Sequence, residues 1–213
     1  MDDDFILATV IAGIVIVLIV FLVWRNSRGR RSVVKAIREA QEAFKLTPFV
    51  GTHTQLGAVW YAVRGQVSGL TIRIFGGKSS GGRGASSGTV ARATAIDRAC
   101  VMIIVSLPMV VPFRFNIQRR LALSTPQFGT SYAEFDKIAE VKTENEKKAL
   151  SLLSNDQLRT AIISFMKSAA YAFITSSEVM IKISSDKEVV PVAREAVNLA
   201  VSLGNQIKNN SMK

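Results

Sequence analysis

His53 is the single imidazole and Cys100 the single thiol in 213 residues, which sets the chemistry open to this chain. A zinc or haem site of the usual ligand types cannot be assembled from one of each within one chain. As a general base, His53 would want a serine nucleophile beside it and a carboxylate behind it. No GxSxG elbow occurs, and the nearest acids in sequence, Glu42 and Asp97, are far away. Cys100 opens an apolar run over residues 100–107 and reads as a small buried hydrophobe. A lone thiol also forms no internal disulfide, which agrees with a reducing compartment.

Gly77, Lys78 and Ser79 invite comparison with a phosphate loop, but Ile72 stands where GxxxxGK[ST] needs its first glycine. The next residues are more Gly and Ser rather than a helix start, so no nest of amides is expected around a phosphate. Glu134, Asp136, Glu140, Glu144 and Glu146 could supply carboxylates to a metal. They alternate with Lys137, Lys142, Lys147 and Lys148, and mixed-sign runs read as a solvated face. Asp136 and Glu178 read as turn or salt-bridge groups. No residue is assigned to catalysis, no cofactor is expected, and the chain is read as a non-enzyme.

The elements around these residues begin with residues 5–24, where fifteen of twenty are Ile, Leu, Val or Phe and none is charged. At about 1.5 Å per residue such a helix covers roughly 30 Å, the hydrocarbon thickness of a bilayer. Phe5 opens the run and Trp24 closes it, where an indole suits the headgroup interface. Residues 1–4 carry three aspartates, whereas Arg25, Arg28, Arg30 and Arg31 come directly after the run. Arginine on that flank predicts an N-terminus outside and a C-terminal body in the cytoplasm, placing the chain in the cell (inner) membrane. A cleaved signal peptide does not fit the acidic beginning, and a pilin-like start would want a processing glycine before the apolar run and a glutamate inside it, neither of which is present. No intramembrane carboxylate marks an ion path. Ala8, Thr9, Ala12 and Gly13 form small-xxx-small pairs, a weak signal that leaves a homo-oligomer open.

The net charge of +11 is unevenly laid out. Residues 25–42 hold six basic and two acidic side chains, residues 43–133 ten basic and one acidic, and residues 134–213 eleven basic and ten acidic. A basic half beside an anionic leaflet gains roughly 1 kcal/mol per Lys or Arg held near it. Membrane lipid is therefore one expected partner and an acidic membrane subunit another. The absence of zinc-finger spacing and stacking aromatics argues against nucleic acid. Lys78, Arg83, Arg119 and Arg120 are singled out as candidate partner or lipid contacts.

Helical spacing of Val33, Ile37, Ala40 and Phe44 after Ser32 predicts an amphipathic helix over 32–46, joined to the anchor through a hinge at 26–31. Residues 25–47 thus form a basic juxtamembrane segment, and 48–213 the folded body. Alternation at Val59, Tyr61, Val63 and at Leu70, Ile72, Ile74 predicts two strands around a moderately long connection containing Gly65 and Gly69. The thirteen residues 76–88 (GGKSSGGRGASSG) read as a flexible loop. Further strands are expected at 89–96, at 100–107 (buried on both faces), and around Phe113, Phe115 and Ile117, with another over 135–141. Helices are expected at 144–153, at 155–169 with a Ser154/Gln157 capping box, and at 187–208. A short hairpin (171–175 and 179–183) lies between the last two.

The fold class is therefore α+β: one N-terminal transmembrane helix, then a mainly antiparallel sheet with two or three packed helices. The function expected is an accessory or scaffold subunit of a larger membrane complex, with photosynthetic and respiratory assemblies among the candidates. The alternative is a membrane-anchored binder of anionic lipid or nucleic acid through the basic half. Those two separate by salt. Vesicle or oligonucleotide binding by residues 32–213 should fall steeply as salt rises if the basic half is the contact, and salt-independent binding would remove that alternative.

Overall fold

The structure, a computed structural model, describes residues 3–79, 99–120, 128–168, 171–185 and 187–211; the side chains of 3–10, 12, 22, 25, 26, 210 and 211 are outside that set. The expected strand at 89–96 and most of the 76–88 stretch fall outside it too.

One uninterrupted helix, α1 (Asp3–Phe44), replaces the two helices and hinge expected from sequence. Asn26, Ser27 and Gly29 weaken a helix by at most about 1 kcal/mol each, whereas a proline would be needed to break it outright. Gly29 has a packing reason: a Cβ there would stand 2.9 Å from Ala99 Cβ. The helix stops at Lys45, whose φ of 53° is left-handed, with Leu46 N–H donating to Gln41 O at 2.9 Å. Pro48 cannot continue it.

Eight strands form one antiparallel sheet in the order β1-β2-β3-β4-β8-β7-β5-β6. They are β1 (Thr47–Pro48), β2 (Leu56–Val67), β3 (Leu70–Ser79), β4 (Ala99–Ser106), β5 (Phe115–Arg119), β6 (Ala139–Thr143), β7 (Tyr171–Thr175) and β8 (Glu178–Ser184). The mainly antiparallel α+β architecture expected from sequence is thus present. Helices α2 (Ala133–Ile138), α3 (Glu146–Leu152), α4 (Asp156–Ser168) and α5 (Val189–Ser211) are the other elements among the described residues. α1, α4 and α5 lie on the sheet: α1 over β2, β3 and β4, α5 over β4 and β8, α4 over β7 and β5. Period-two side chains from those strands, among them Ile72, Ile74, Ile103, Ile181 and Ile117, make the main core with them.

Several local expectations are corrected. Ser68 and Gly69 alone join β2 to β3, both at positive φ (53° and 77°), the signature of a type I′ turn. Gly65 therefore lies inside β2, not in a connection. Residues 76–79 are strand rather than loop, because β3 continues to Ser79. Residues 135–141 split: Phe135 and Ile138 lie on α2, a helical turn fixed by Asp136 accepting from Thr130 N–H at 3.0 Å, and β6 begins only at Ala139. The cap of α4 is Asn155, which accepts from Leu158 N–H at 3.0 Å. Ser154 instead donates its hydroxyl to Ser151 O at 2.8 Å, so the expected capping box does not form.

The glycines at 76 and 77 are packing residues. A Cβ on Gly76 would meet Val33 Cγ1 at 2.3 Å and Ile37 Cδ1 at 2.4 Å; on Gly77 it would meet Ala58 O at 2.0 Å. Val33, Ile37 and Ala40 are each 0% exposed, so α1 presses its apolar face directly onto the strand backbone. Overpacking such a contact costs typically 1–3 kcal/mol. Gly76→Ala should lower the unfolding free energy read from urea titration by about that much, and Ile37→Ala, which leaves a cavity, by about 2–5 kcal/mol. An unchanged midpoint for both would show that this contact contributes nothing to stability.

Candidate functional site

The described side chains between Ile11 and Trp24 stand in the open. Ile14, Ile16, Val17, Leu18, Ile19, Val20, Phe21, Val23 and Trp24 are 51–68% exposed. Contact with the body begins only near Gly29, against Ala99, and at Ser32, whose hydroxyl donates to Ser185 O at 2.9 Å. Trp24 packs near Phe21 (ring centroids 6.3 Å apart) and carries the Arg28 guanidinium 5.5 Å above its ring. Arg30 and Arg31 are exposed. The side chains of Phe5 and Arg25 are outside the described residues. Among the described residues no helix is long and apolar enough to cross a membrane.

Of the four other basic candidates, the three described ones do not gather at one place. Lys78 is half-buried near the end of β3, paired in register with Ala58 and Ala99. Arg119 ends β5 opposite Ala139, and Arg120 donates to Asp136 O at 2.8 Å. Three strands separate β3 from β5, so at about 4.8 Å per strand the two places stand roughly 19 Å apart. Arg83 lies outside the described residues. Two further arginines of the basic half have partners within the body: Arg64 lies 5.4 Å above the Phe49 ring, and Arg73 is ion-paired with Glu178.

Several titratable side chains gather on the sheet face opposite α1, α4 and α5. Register sets it. Arg73, Ile104, Met180 and Phe173 form one row across β3, β4, β8 and β7, and Phe75, Met102, Lys182 and Tyr171 form the next. Cys100, Met102, Ile104, Phe75, Ala62 and Leu56 bury one another there as a second, smaller core. The segment 49–55 folds back onto it. Phe49 meets Phe75 edge-on at 5.4 Å, and the His53 ring lies 5.5 Å from the same phenyl. The Gln55 side-chain amide donates to the Tyr171 hydroxyl, and Gln55 N–H donates to His53 Nδ1 at 3.3 Å. Lys182 lies 4.9 Å over the Tyr171 ring and donates to Ser79 Oγ at 3.1 Å.

His53, Cys100 and Tyr171 are shifted toward their neutral forms. Burial, then Arg73, lowers the His53 pKa from 6.5; Glu178 opposes that and Lys182 adds to it. Burial raises the Cys100 pKa although Lys182 pulls it down, so the thiol stays protonated and unreactive at neutral pH. Burial also raises the Tyr171 pKa against the Gln55 hydrogen bond. An imidazole whose Nδ1 already accepts from a backbone amide and whose ring packs near Phe75 fastens the 49–55 segment to the sheet. Sequence reading takes His53 as a structural or surface histidine and Cys100 as a buried hydrophobe, but it does not single out Gln55, Arg73, Tyr171 or Lys182. Their meeting depends on the β3-β4-β8-β7 order, which no local pattern shows.

The acidic run is dispersed. Glu134 pairs with Lys137 at 2.6 Å, which lowers its pKa, and Glu144 accepts from Arg114 N–H at 2.9 Å. Glu140 departs from the solvated-face reading: it is 5% exposed and accepts from the Gln118 amide at 3.1 Å. Among the described residues no three of His, Cys, Asp or Glu come close enough to hold a metal ion.

Neither a family model nor a curated protein matches this chain. Among solved structures, the mycobacterial trehalose monomycolate transport factor A, TtfA, is similar at a TM-score of 0.46 and 11% identity, over 84% of this chain and 94% of that one. Likeness at that level carries no argument about function.

Protonating His53 would turn its Nδ1 from acceptor to donor against Gln55 N–H and add charge beside Arg73 and Lys182. With the folded pKa below 6.5, the folded segment disfavours the proton that the free chain accepts. The attachment should therefore hold at neutral pH and weaken as pH falls below 6.5 toward the lower folded value. Amide exchange at 52–56 should accelerate across that window once the intrinsic pH dependence is removed, and His53→Phe should flatten it. An identical profile in the variant would refute the assignment.

Proposed function

We propose that this chain is a non-enzymatic, single-pass membrane protein whose α+β body binds other subunits of a larger membrane complex from the cytoplasmic side. One observation carries the proposal: the described apolar side chains in the first half of α1 form a surface that none of the described residues of the body covers, on a helix whose second half is built into the core. Eleven large apolar side chains of that half stand at 47–68% exposure. Soluble monomers rarely leave more than a few hundred Å² of contiguous apolar surface in water, so such a helix calls for lipid or another apolar helix around it. The full run over 5–24 is uncharged and of bilayer length. Arg28, Arg30 and Arg31 below Trp24 support the N-outside, body-inside orientation.

The non-enzymatic part rests on the neutral, internally engaged state of His53, Cys100 and Tyr171. The scaffold part rests on the large share of the chain given to a two-layer body without an activated group among the described residues. Two measurements test the proposal on the full chain. The protein should stay with membranes through an alkaline carbonate wash, and protease added to intact cells should spare residues 48–213. In mild detergent it should comigrate with a larger assembly. Recovery in a high-speed supernatant overturns the anchor, and a purely monomeric band overturns the subunit role.

A further inference from the structure

α1 carries one stripe that crosses from its apolar half into its basic half. Ile14, Val17, Phe21, Trp24, Arg28, Arg31, Lys35, Arg38 and Glu42 succeed one another at alternating steps of three and four, and all are exposed. At 100° per residue, those from Val17 to Arg38 lie within about 60° of the direction opposite Val33 and Ile37. The stripe therefore faces away from the sheet. Its lower part borders an open furrow of about 700 Å³, lined by Ser27, Arg30, Arg31, Val34, Lys35 and Arg38, with Glu39 and Glu42 at its far end. Steps of three and four are the pattern by which one helix packs along another.

Three occupants differ in charge and reach. Lipid headgroups extend roughly 5–7 Å beyond the hydrocarbon on each side. Along an unbroken helix, Arg28 and Arg31 stand about 6 and 10 Å below Trp24, whereas Lys35 and Arg38 stand about 16 and 21 Å below. The latter two are thus beyond the headgroups by more than the ~8 Å over which salt screens charge. Lipid accounts for the upper two cations but not the lower two. A second copy is disfavoured as well: two anchored copies are parallel, so a symmetric pair would set Arg31 against Arg31 and Lys35 against Lys35. The occupant that fits is a different helix, apolar where it meets Val17 and Phe21 and acidic where it meets Arg31, Lys35 and Arg38. Lys35 already stands 3.9 Å from Glu39, but so exposed a pair contributes little and leaves the lysine able to exchange partners.

We propose that this stripe is the docking face for a transmembrane helix of another subunit that continues below the membrane with acidic residues. The proposal rests on the anchored-subunit reading above. The test uses the full chain in its own membranes. Lys35→Glu/Arg38→Glu is compared with wild type and with a control reversal at exposed positions elsewhere, Lys147→Glu/Lys208→Glu. Equal urea midpoints and carbonate-resistant sedimentation show that the variants are folded and inserted. The Lys35/Arg38 reversal should weaken comigration with the larger assembly by roughly tenfold per contact, about 1.4 kcal/mol each, and the control should not. A photo-cross-linker at position 38 should capture a protein with an acidic segment directly after an apolar helix.

If the Lys35/Arg38 variant comigrates as wild type does, or if the cross-link joins two copies of this chain, the docking face is wrong while the subunit role stands. If anionic lipid added to the purified wild-type chain in zwitterionic nanodiscs shifts its migration and the Lys35/Arg38 reversal abolishes that shift, the stripe is a lipid contact and the proposal falls. A wild-type chain that is monomeric in mild detergent removes the subunit role and the docking face together.

Discussion

The seating of Val33 and Ile37 on the bare backbone of Gly76 is the contact on which the rest of the fold depends. It fixes α1 against β3, and the neighbouring approach of Gly29 to Ala99 fixes it against β4. With α1 in place, β2, β3 and β4 have their inner face covered, and α5 and α4 cover the remainder. A side chain at position 76 would hold the helix away and open the interior along its length. Burying two side chains the size of Val and Ile contributes roughly 3–6 kcal/mol, comparable with the net stability of a small domain.

Much of the architecture was legible because burial leaves a period. Val33, Ile37 and Ala40 gave a helix face, Ile72 and Ile74 a strand face, and the unbroken run 100–105 a strand buried on both sides; each is where those patterns put it. Three features were not legible, for different reasons. The hinge at 26–31 was inferred from small polar residues, but these lower helix propensity without forbidding it, and packing on Ala99 decides the outcome. Glycines 76 and 77 look like loop residues in composition; only a helix lying on top of them explains why a strand should lack side chains. Residues 135–141 satisfy both a two-residue and a three-residue spacing, and the Asp136–Thr130 contact selects the turn of helix.

The outer sheet face shows a different kind of illegibility. His53 is brought to Phe75, and Gln55 to Tyr171, 116 residues later, by a segment with no regular structure. Arg73 finds Glu178 across β4 only because β8 is inserted between β4 and β7. Nothing in the local sequence of any of these residues indicates the others. Long-range register sets which polar groups share a face, and it is a property of the whole strand order. The same register explains why Cys100 and Met102, which alternate with inner-core residues, end in a separate small core under Phe49.

The absence of a joint in α1 has a mechanical consequence. From Trp24 to Phe44 the chain rises about 30 Å as one stiff rod. Swinging its first half by about 20°, an ordinary inclination for a helix in a bilayer, would sweep the Phe44 end sideways by roughly 10 Å and carry the whole sheet with it. A lever of that length converts a small reorientation at one end into a displacement large enough to make or break a contact at the other.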